Sequence, residues 1–295
     1  TLLATKAPIL VAPAMHTEMW QNAATVANVA TLRERGIEIL EPAVGRLTGA
    51  DSGPGRLPEP EELVAAALAL SAPQDLSGKR ILITAGGTQE PIDPVRYLGN
   101  HSSGKQGIAL ATEATKRGAK VTLIAANVSE PISAIHELVR VSTAAELEAE
   151  VLGHLNFVDA VIMAAAVADF RVETAADKKL KRSEIGDEIT LKLVANPDIL
   201  AGLVSKIDRD GLKVVSVGFA AETALNPNDL QRLAEHKLES KGCDILVAND
   251  VSHGAVFGSE RNSVLVLTKQ GIVTSRDGSK AAIANHILDV LGQEI

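Results

Sequence analysis

The amino-acid sequence predicts an α/β fold, with a doubly wound, mostly parallel, Rossmann-like open sheet, helices on both faces and a C-terminal β-hairpin. Three observations predict this fold. From Leu76 onward, apolar runs of strand length alternate with segments of helical periodicity, as in a parallel sheet covered by helices. Hydrophobic residues make up 46% of the chain, yet only one Trp, one Tyr and four Phe are present, so Val, Ile, Leu and Ala must build the core. Residues 1–73 read as a smaller segment with about two strands, which alone would bury little apolar surface.

The composition excludes several classes of function. At 295 residues the chain is long enough for two domains. The net charge is −8 and no large basic block is present, which argues against nucleic-acid binding. No apolar segment approaches the roughly 20 residues of a membrane span, and no signal-peptide pattern opens the sequence, so we expect a cytoplasmic protein. The single cysteine, Cys243, excludes an internal disulfide and precedes an apolar run, so we interpret it as a buried thiol.

Two short strands, two helices and a loop rich in Gly and Pro are predicted in residues 1–73. In chain order they are strand 9–12, helix 20–35, strand 37–40, loop 45–60 and helix 60–70. Gly36 ends the first helix, and Pro60, Glu61 and Glu62 suit the first turn of the second. Residues 71–78 read as a linker, so two units of unequal size are expected.

The remaining residues alternate between strands and helices. The predicted strands are 80–84, 120–125, 138–141, 160–164, 214–218, 244–248 and 263–268, and the predicted helices are 107–117, 144–155, 198–206, 230–241 and 280–291. Residues 189–194 alternate in polarity and predict an extra strand, and Gln270-Gly271 predicts a hairpin turn between 264–267 and 272–275. In such a sheet, ligands bind beyond the carboxyl ends of the strands.

The most informative stretch runs from Ile81 to Gly107. A buried-strand run ends at Gly86-Gly87, and a second cluster, Asn100-His-Ser-Ser-Gly104, leads into a helix. Free backbone N–H groups and the helix dipole favour an anion at such a helix start, so phosphate is the first ligand to expect. The glycine spacing fits neither G-x-G-x-x-G nor a P-loop.

This whole stretch resembles phosphopantothenoylcysteine synthetase, a nucleotide-dependent ligase of coenzyme A biosynthesis. The resemblance implies that 4′-phosphopantothenate and L-cysteine are joined with CTP, through an acyl-cytidylate, to give 4′-phosphopantothenoyl-L-cysteine, CMP and pyrophosphate. It also implies Mg²⁺ bridging the phosphates. The choice between CTP and ATP stays open, because relatives outside bacteria use ATP.

A loop of small residues follows the strand at 160–164. Its small side chains would let a flat base lie against the backbone, whose N–H and C=O groups could read the base edge, or they could simply pack tightly. The resemblance implies that Met163, Ala164, Ala165 and Asp169 hold the cytosine, and Asp169 is also a candidate magnesium ligand.

Residues 177–182, Asp-Lys-Lys-Leu-Lys-Arg, carry four cations in five positions. Composition alone favours a solvated, mobile loop. Its position after the base site allows a second interpretation, a basic loop that closes over a triphosphate. The resemblance implies that Lys179 contacts the nucleotide and takes part in catalysis.

Further candidates for nucleotide binding lie at strand ends and helix starts. Asp198 suits a helix cap, and the resemblance implies that this turn binds nucleotide. Lys237 and Lys241 are four residues apart and share one helix face, and Phe219 could stack on the nucleotide or lie in the core. The nucleotide set that the resemblance implies is completed by Gly86, Gly87, Thr88, Pro197, Asp198, Ile199, Leu200, Phe219, Lys237 and Lys241.

The acyl site is expected at Asn100, whose amide can donate to a developing oxyanion or to a phosphate. The resemblance implies that this residue acts on the acyl-cytidylate, and that Ser102, Ser103 and Gly104 bind the phosphate of 4′-phosphopantothenate. His101 is interpreted as a loop contact rather than a base. Asp93 and Arg96 either brace the loop as an ion pair or contact substrate.

The first segment carries a second resemblance. Pro13-Ala-Met-His-Thr-Glu-Met-Trp20 and Gly53-Pro-Gly-Arg56 resemble motifs of flavin-dependent phosphopantothenoylcysteine decarboxylases, whose fold is flavodoxin-like. The resemblance implies that residues 1–73 are the C-terminal part of such a domain and residues 74–295 the ligase domain of a truncated bifunctional protein. Met15, His16, Met19 and Trp20 would be a remnant of the decarboxylase site, or core residues. The family's catalytic cysteine aligns with Gly49, so its replacement is unknown, and FMN is expected only for the complete decarboxylase.

The resemblance implies a homodimer of the ligase domain and a higher homo-oligomer with the complete decarboxylase. The loop after Asn249 and the C-terminal hairpin are candidates for dimer contacts or for covering the substrate. Three alternatives stay open: a nicotinamide-dependent dehydrogenase, which lacks its glycine fingerprint here, a non-catalytic subunit that binds phosphopantothenate, and an assembly role for residues 1–70.

Overall fold

The computed structural model describes residues 4–47, 52–71, 73–132, 135–251, 261–271 and 273–295. The chain divides into two compact units, Thr1–Pro73 and Gln74–Ile295. The elements of the first unit are β1 (Leu10–Val11), α1 (Thr17–Trp20), α2 (Ala23–Glu34), β2 (Glu38–Ile39), β3 (Ala43–Arg46), β4 (Ser52–Arg56) and α3 (Pro60–Leu70).

The first unit has little core of its own. Its strands form two small pairs, β1 with β2 in parallel and β3 with β4 antiparallel. Helix α3 begins at Pro60, as predicted, and Glu59 and Glu62 form a capping box there. The loop predicted over 45–60 is wrong in part, because β4 lies within it and gains its backbone partners from β3. Ile39 is buried, whereas Val64 and Leu68 of α3 are 58% and 68% exposed.

The second unit contains the remaining described elements. They are β5 (Arg80–Gly86), β6 (Gln89–Asp93), β7 (Arg96–Gly99), α4 (Lys105–Lys116), β8 (Lys120–Ala126), β9 (Glu137–Val141), α5 (Ala144–His154), β10 (Ala160–Met163), β11 (Phe170–Val172), α6 (Arg182–Ile185), β12 (Leu193–Ala195), α7 (Ile199–Asp210), β13 (Val215–Glu222), α8 (Pro227–Lys241), β14 (Ile245–Asp250), β15 (Arg261–Thr268), β16 (Val273–Ser279) and α9 (Lys280–Leu291).

One eight-stranded sheet organises this unit, in the order β16-β15-β14-β13-β10-β5-β8-β9. Six neighbouring strands of this sheet, β9, β8, β5, β10, β13 and β14, are parallel to one another. The last two strands, β15 and β16, are antiparallel. The chain runs outward from β5 through β8 to β9, then returns to place β10 on the other side of β5. The fold is therefore the doubly wound sheet that the sequence predicts, with its switch point between β5 and β10.

Most predicted elements of the second unit are confirmed within one or two residues, whereas β13, α7 and α8 are longer than predicted by three or four residues. The hairpin of β15 and β16 forms around Gly271, whose φ of +85° suits glycine; Ile272 lies outside the described residues. The strand predicted over 189–194 is reduced to β12, which pairs with β11. The β6–β7 hairpin was not predicted, because Pro91 and Pro94 obscure the strand pattern.

The core lies on both faces of the sheet. Successive side chains of a strand point to opposite faces, so Ile81 and Ile83 pack in the cluster with α4 and α9, whereas Leu82 packs in the cluster with α5 and α7. Cys243 is buried, as expected, and burial raises the pKa of its thiol to about 11, so it stays protonated at neutral pH. Among the described residues no helix is both long and apolar enough to cross a membrane.

A buried arginine joins three parts of the second unit. Arg117, at the end of α4, is 2% exposed and donates to Asp75, to Asp289 of α9 at 2.8 Å and to the carbonyl of Asn285 at 3.2 Å. The hydrogen bond with Asp75, together with the pairing with Asp289, raises the pKa of the guanidinium despite its burial. The cluster therefore fixes α4 and α9 to the residues that lead into β5.

We expect Arg117→Met to lower the free energy of unfolding by about 2 kcal/mol, because the apolar stem is kept while two carboxylates and a carbonyl lose their donor; both carboxylates are partly exposed, which limits the loss. Urea denaturation of the whole chain, followed by circular dichroism, measures the change. Arg209→Met is the control, since Arg209 is exposed and, within the described part of the chain, pairs with no carboxylate but the neighbouring Asp210, and we expect it to change stability by less than about 0.5 kcal/mol. Equal losses in both variants would contradict the role of Arg117.

Candidate active site

The candidate site lies at the carboxyl ends of the parallel strands, beside the switch point between β5 and β10. Two cavities open there, one of about 480 Å³ and one of about 170 Å³. Both are lined by Ala165, Ala166, Phe219 and Ala221. The segment after β10 is therefore a wall common to both cavities.

Hydrogen bonds from this wall to the end of β5 and to Thr88, just beyond it, hold the wall in place. The hydroxyl of Thr84 accepts from the N–H of Ala165 at 3.0 Å, and the hydroxyl of Thr88 accepts from the N–H of Ala168 at 2.9 Å. The carbonyl of Gly86 accepts from the N–H of Ala166 at 2.8 Å. These three N–H groups are used within the protein, so they are not available to read a base edge, and recognition would have to use the remaining groups of the loop.

Gly86, Gly87 and Thr88 lie behind the wall and line neither cavity. Gly86 has a φ of +91°, and a Cβ there would lie 1.9 Å from the carbonyl oxygen of Ala126, so no other residue fits. Thr88 is 1% exposed. The structure thus places these three predicted residues where they shape the site rather than touch its contents.

The larger cavity brings together most of the residues expected for nucleotide binding. Two helices contribute, α7 with its first turn and α8 with two lysines. The predicted residues that line it are Asn100, Met163, Ala165, Asp169, Pro197, Asp198, Ile199, Leu200, Phe219, Lys237 and Lys241. These residues come from five separate parts of the sequence, which supports one ligand site.

Both lysines of the larger cavity pair with carboxylates. Lys237 lies 2.7 Å from Glu222, and Lys241 pairs with Asp198, the N-cap of α7. Burial alone would raise the pKa of Asp198, but hydrogen bonds from Lys241 and from the N–H of Ala201, with the charge of Lys237, hold that pKa below its usual range. The carboxylates hold the ammonium groups in place, and an incoming phosphate would have to replace them as partners.

The smaller cavity surrounds the start of α4. It is lined by His101, Ser102, Ser103, Gly104, Lys105, Gln106, Gly107, Ala164, Asn249, Asn262 and Lys280, in addition to the shared wall. Gly104 is the N-cap with a φ of +78°, and no side chain caps the helix. Hydroxyl groups, an uncapped helix start and lysines are the donors that suit a phosphate. Ala164 thus lies apart from the other predicted cytosine contacts.

Asn100 stands at the larger cavity, one residue before the smaller one begins. Its side-chain amide donates to the carbonyl of Val167 at 2.9 Å, which uses one of its two N–H bonds. The second N–H and the oxygen remain for a ligand. Asn100 therefore lies between the two cavities, and its role in the acyl site stays a prediction.

Several lining residues were missed from the sequence. Lys280 begins α9 and is only 8% exposed, and Asn196 of the larger cavity donates to the carbonyl of Ala168 at 2.8 Å. Asn262 and Gln106 also line the site. As bare sequence, each reads as an ordinary polar position in a helix or strand. Only the position of Asn196, directly before Pro197, was a usable signal.

The structure does not bring Lys179 to either cavity. Its side chain is exposed, and it lines neither space. Asp93 and Arg96 form the ion pair that one of the two interpretations had, and both also bond to Leu180 of the loop that carries Lys179, which was not predicted. Asp169 does line the larger cavity, but the described residues contain no group of three or more His, Cys, Asp or Glu side chains that could hold a metal. Protein ligands alone therefore do not build a metal site there.

In the first unit, the predicted decarboxylase residues surround the short helix α1. Met15 donates its N–H to the carbonyl of Gly55 at 2.9 Å, which seats the motif on β4. Met19 is 57% exposed, so it is not a core residue, and Trp20 lines a groove with Val26 and Val29 of α2. His16 is exposed and N-caps α1 without a side-chain bond. Gly49 lies outside the described residues.

Comparison with known proteins gives matches to both units. A family model described as DNA/pantothenate metabolism flavoprotein C-terminal domain matches residues 76–294, and a model described as Flavoprotein matches residues 1–71. The chain is 48% identical over 300 residues to the Coenzyme A biosynthesis bifunctional protein CoaBC of Mycobacterium bovis, covering 99% of this chain and 72% of that protein. The protein of the same name from Vibrio vulnificus is 45% identical over 288 residues, and this match covers 97% of this chain and 70% of the Vibrio protein.

A solved structure supports the same relation. The crystal structure of the C-terminal domain of a Coenzyme A biosynthesis bifunctional protein CoaBC superposes with a TM-score of 0.61 and 34% sequence identity. The match covers 75% of this chain and 97% of the solved chain.

The wall between the cavities yields a testable prediction. In Thr88→Val the shape is kept but the N–H of Ala168 loses its acceptor, and we expect the free energy of unfolding to fall by about 1–2 kcal/mol. Hydrogen exchange at Ala168 should become faster in this variant.

Thr88→Ser is the matched control, because it keeps the hydroxyl and loses only a methyl group, at a cost of about 0.8 kcal/mol. The Ala168 amide should stay protected in the serine variant. If exchange there is the same in both variants, the hydroxyl does not hold the wall.

Proposed function

The chain belongs to the family of bifunctional coenzyme A biosynthesis proteins, whose C-terminal domain it matches over residues 76–294, and from this we propose a CTP-dependent ligase in residues 74–295. The family makes and decarboxylates phosphopantothenoylcysteine, and this chain is an enzyme of that pathway. In our proposal 4′-phosphopantothenate and L-cysteine are joined through an acyl-cytidylate, with release of pyrophosphate and then CMP. We place the reaction in the cytoplasm, where its nucleotide substrate is made.

One observation carries the proposal, namely that two cavities with different donors share one wall. The larger cavity offers Lys237 and Lys241, which suit a triphosphate, and the smaller offers Ser102, Ser103 and the start of α4, which suit a phosphomonoester. A ligase that activates a carboxylate must hold a nucleotide and a phosphorylated acid side by side. The shared wall supports this arrangement.

In the first step the carboxylate of 4′-phosphopantothenate attacks the α-phosphorus of CTP. A carboxyl O–P bond forms, the bond to the β-phosphate bridging oxygen breaks, and pyrophosphate leaves with the electron pair. In our proposal Lys237 and Lys241 exchange Glu222 and Asp198 for phosphate oxygens and stabilise the charge that develops on them. Asp169 would help to hold Mg²⁺, which binds few protein carboxylates and mainly substrate phosphates and would neutralise their charge.

In the second step the amine of cysteine attacks the acyl carbon. A C–N bond forms, the bond to CMP breaks, and the amine proton is lost to solvent as CMP leaves. The remaining N–H of Asn100 would donate to the oxyanion of the tetrahedral intermediate. The side chain of Lys179 lines neither cavity, and it would reach the nucleotide through movement of residues 177–179 while the backbone of Leu180 stays bonded to Asp93.

For residues 1–73 we propose the C-terminal part of a flavin-dependent decarboxylase. The match to the Flavoprotein model supports this, as do Trp20 and the exposed Met19, which offer an aromatic and a thioether surface of the kind that packs on a flavin ring. FMN would supply the redox chemistry of decarboxylation in the complete domain. Met15, His16, Met19 and Trp20 would border that site.

We also propose that the ligase unit forms a homodimer, and that the complete decarboxylase adds a higher homo-oligomer. The support is a set of exposed apolar residues, here called the apolar patch, on the β6–β7 hairpin and on the β11–β12 pair, which lie side by side through β6 and β11. Val95, Tyr97, Phe170 and Leu193 are 58%, 56%, 54% and 44% exposed. Aromatic and branched residues gathered at one surface mark an association site.

The ligase is tested by pyrophosphate release. With Mg²⁺, CTP and 4′-phosphopantothenate, we expect at most one pyrophosphate per site without cysteine, because the acyl-cytidylate stays bound, and continuous release of pyrophosphate and CMP once cysteine is added. ATP runs in parallel to decide the nucleotide. Binding of 4′-phosphopantothenate without release from either nucleotide would favour the binding-only subunit and contradict the ligase.

The dimer is tested by sedimentation equilibrium. We expect Tyr97→Glu to shift the mass toward the monomer, because a carboxylate in an apolar interface must be desolvated. Leu225→Glu is the matched control, since Leu225 is 93% exposed but lies outside the patch, and its mass should not change. An unshifted mass in the Tyr97 variant would show that the patch is not the interface.

A further inference from the structure

The four cations of the basic loop, residues 177–182, are all exposed but differ in whether they have an ion-pair partner. Lys181 pairs with Glu184 at 3.3 Å, and Arg182 pairs with Asp187. Lys178 and Lys179 are exposed, and among the described residues neither ammonium group has a hydrogen-bond or ion-pair partner. The loop thus holds two cations that are committed to neighbours and two that are available.

The main chain of the loop is tied down at two points on the β6–β7 hairpin. The N–H of Ala176 donates to the carbonyl of Ile92 at 2.9 Å. The N–H of Leu180 donates to Oδ2 of Asp93 at 3.1 Å, and the guanidinium of Arg96 donates to the carbonyl of Leu180. The two available lysines lie between these points.

Asp93 is the centre of this arrangement. Its side chain is fully buried, and its Oδ1 accepts from the N–H groups of Val95 at 2.9 Å and Arg96 at 2.8 Å. Its Oδ2 lies 3.0 Å from the guanidinium of Arg96, in addition to the bond from Leu180. One oxygen therefore shapes the hairpin turn, and the other holds the loop.

We propose that Asp93 is a positioning residue for the ligase reaction, which tethers Leu180 and thereby presents Lys179 to the nucleotide. This rests on the proposed function, because it assigns the lysine to the nucleotide of that site. The tether favours the reaction because a segment that is already held loses less conformational entropy when Lys179 binds the phosphates.

The two carboxylate oxygens of Asp93 have different partners, so a conservative substitution can separate their roles. In Asp93→Asn one oxygen remains to accept from Val95 and Arg96, while an NH₂ group replaces the acceptor of Leu180. The variant should release the loop and keep the hairpin. Asp159→Asn is the matched control, because the carboxylate of Asp159 also accepts a backbone N–H, that of Arg80 at 2.7 Å. This bond lies at the amino ends of β5 and β10, away from the candidate site.

The tether itself is tested without activity. By hydrogen exchange, the amide of Leu180 should be protected in the wild-type chain and exchange about tenfold faster in Asp93→Asn, the factor expected for the loss of one hydrogen bond to a charged group. The amides of Val95 and Arg96 should keep their protection. Trypsin should cut after Lys178 and Lys179 faster in this variant than in Asp159→Asn. Unchanged exchange at Leu180 would overturn the tether.

The action through Lys179 is tested by a double-mutant cycle on kcat/KM for CTP. We expect Asp93→Asn to lower it about tenfold, and the change should vanish when Lys179→Ala is already present. If the two effects multiply instead, Asp93 acts through the fold alone and the proposal is overturned. An unchanged kcat/KM in Lys179→Ala overturns it as well.

A second variant guards against a misfolded hairpin. Leu180→Pro removes the donor N–H and leaves Asp93 intact. It should lower kcat/KM for CTP as much as Asp93→Asn does, and this loss should also vanish when Lys179→Ala is present. If Asp93→Asn lowers the melting temperature of the chain, this variant decides the question. If the wild-type chain turns over neither nucleotide, the proposed ligase function fails, whereas the exchange measurement still decides whether the tether exists.

Discussion

The threonine hydroxyls at the carboxyl end of β5 and just beyond it fix the segment on which both cavities depend. A chain that leaves a parallel strand at the switch point has backbone N–H groups and no further strand to pair with. Here the hydroxyls of Thr84 and Thr88 and the carbonyl of Gly86 accept hydrogen bonds from N–H groups of the segment after β10. The wall can therefore consist of alanines, whose small side chains leave room for ligands on both sides, while three of its backbone N–H groups stay bonded within the protein. Gly86 is constrained on its other side as well, because it has a positive φ and a Cβ there would collide with the carbonyl oxygen of Ala126 in β8.

The lysines that line the larger cavity are compensated by carboxylates of the protein itself. Lys237 and Lys241 are held by Glu222 and Asp198, and Asp198 also caps α7. Paired lysines keep a defined geometry, and they avoid the repulsion that two free ammonium groups on one helix face would cause. The cations of the basic loop differ, because Lys178 and Lys179 have no such partner among the described residues. In our view the site uses fixed cations at α8 and movable ones on a tethered loop.

The two units differ in what holds them together. The second unit has apolar clusters on both faces of its sheet and a buried arginine that links α4 to α9. The first has two-stranded pairs and helices without buried residues. An element can be correctly formed, with caps and a proline at its first turn, and still leave its apolar face exposed, as Val64 and Leu68 of α3 do. Capping is a local property, whereas burial requires a partner surface.

The sequence by itself determined the doubly wound sheet, because strand and helix periodicities reflect which faces are buried and need no knowledge of distant contacts. It also indicated most of the larger cavity, since polar or small residues after successive parallel strands must meet at one edge. Tertiary structure decided the rest. Lys280 and Asn262 read as ordinary positions until the fold placed them at the site, and Gly86 and Thr88 proved to support the wall rather than to line a cavity. The short strands of the β6–β7 and β11–β12 pairs depend on partners that local sequence does not specify. The tether of Leu180 to Asp93 joins residues 87 positions apart, and no periodicity encodes a single hydrogen bond over that separation.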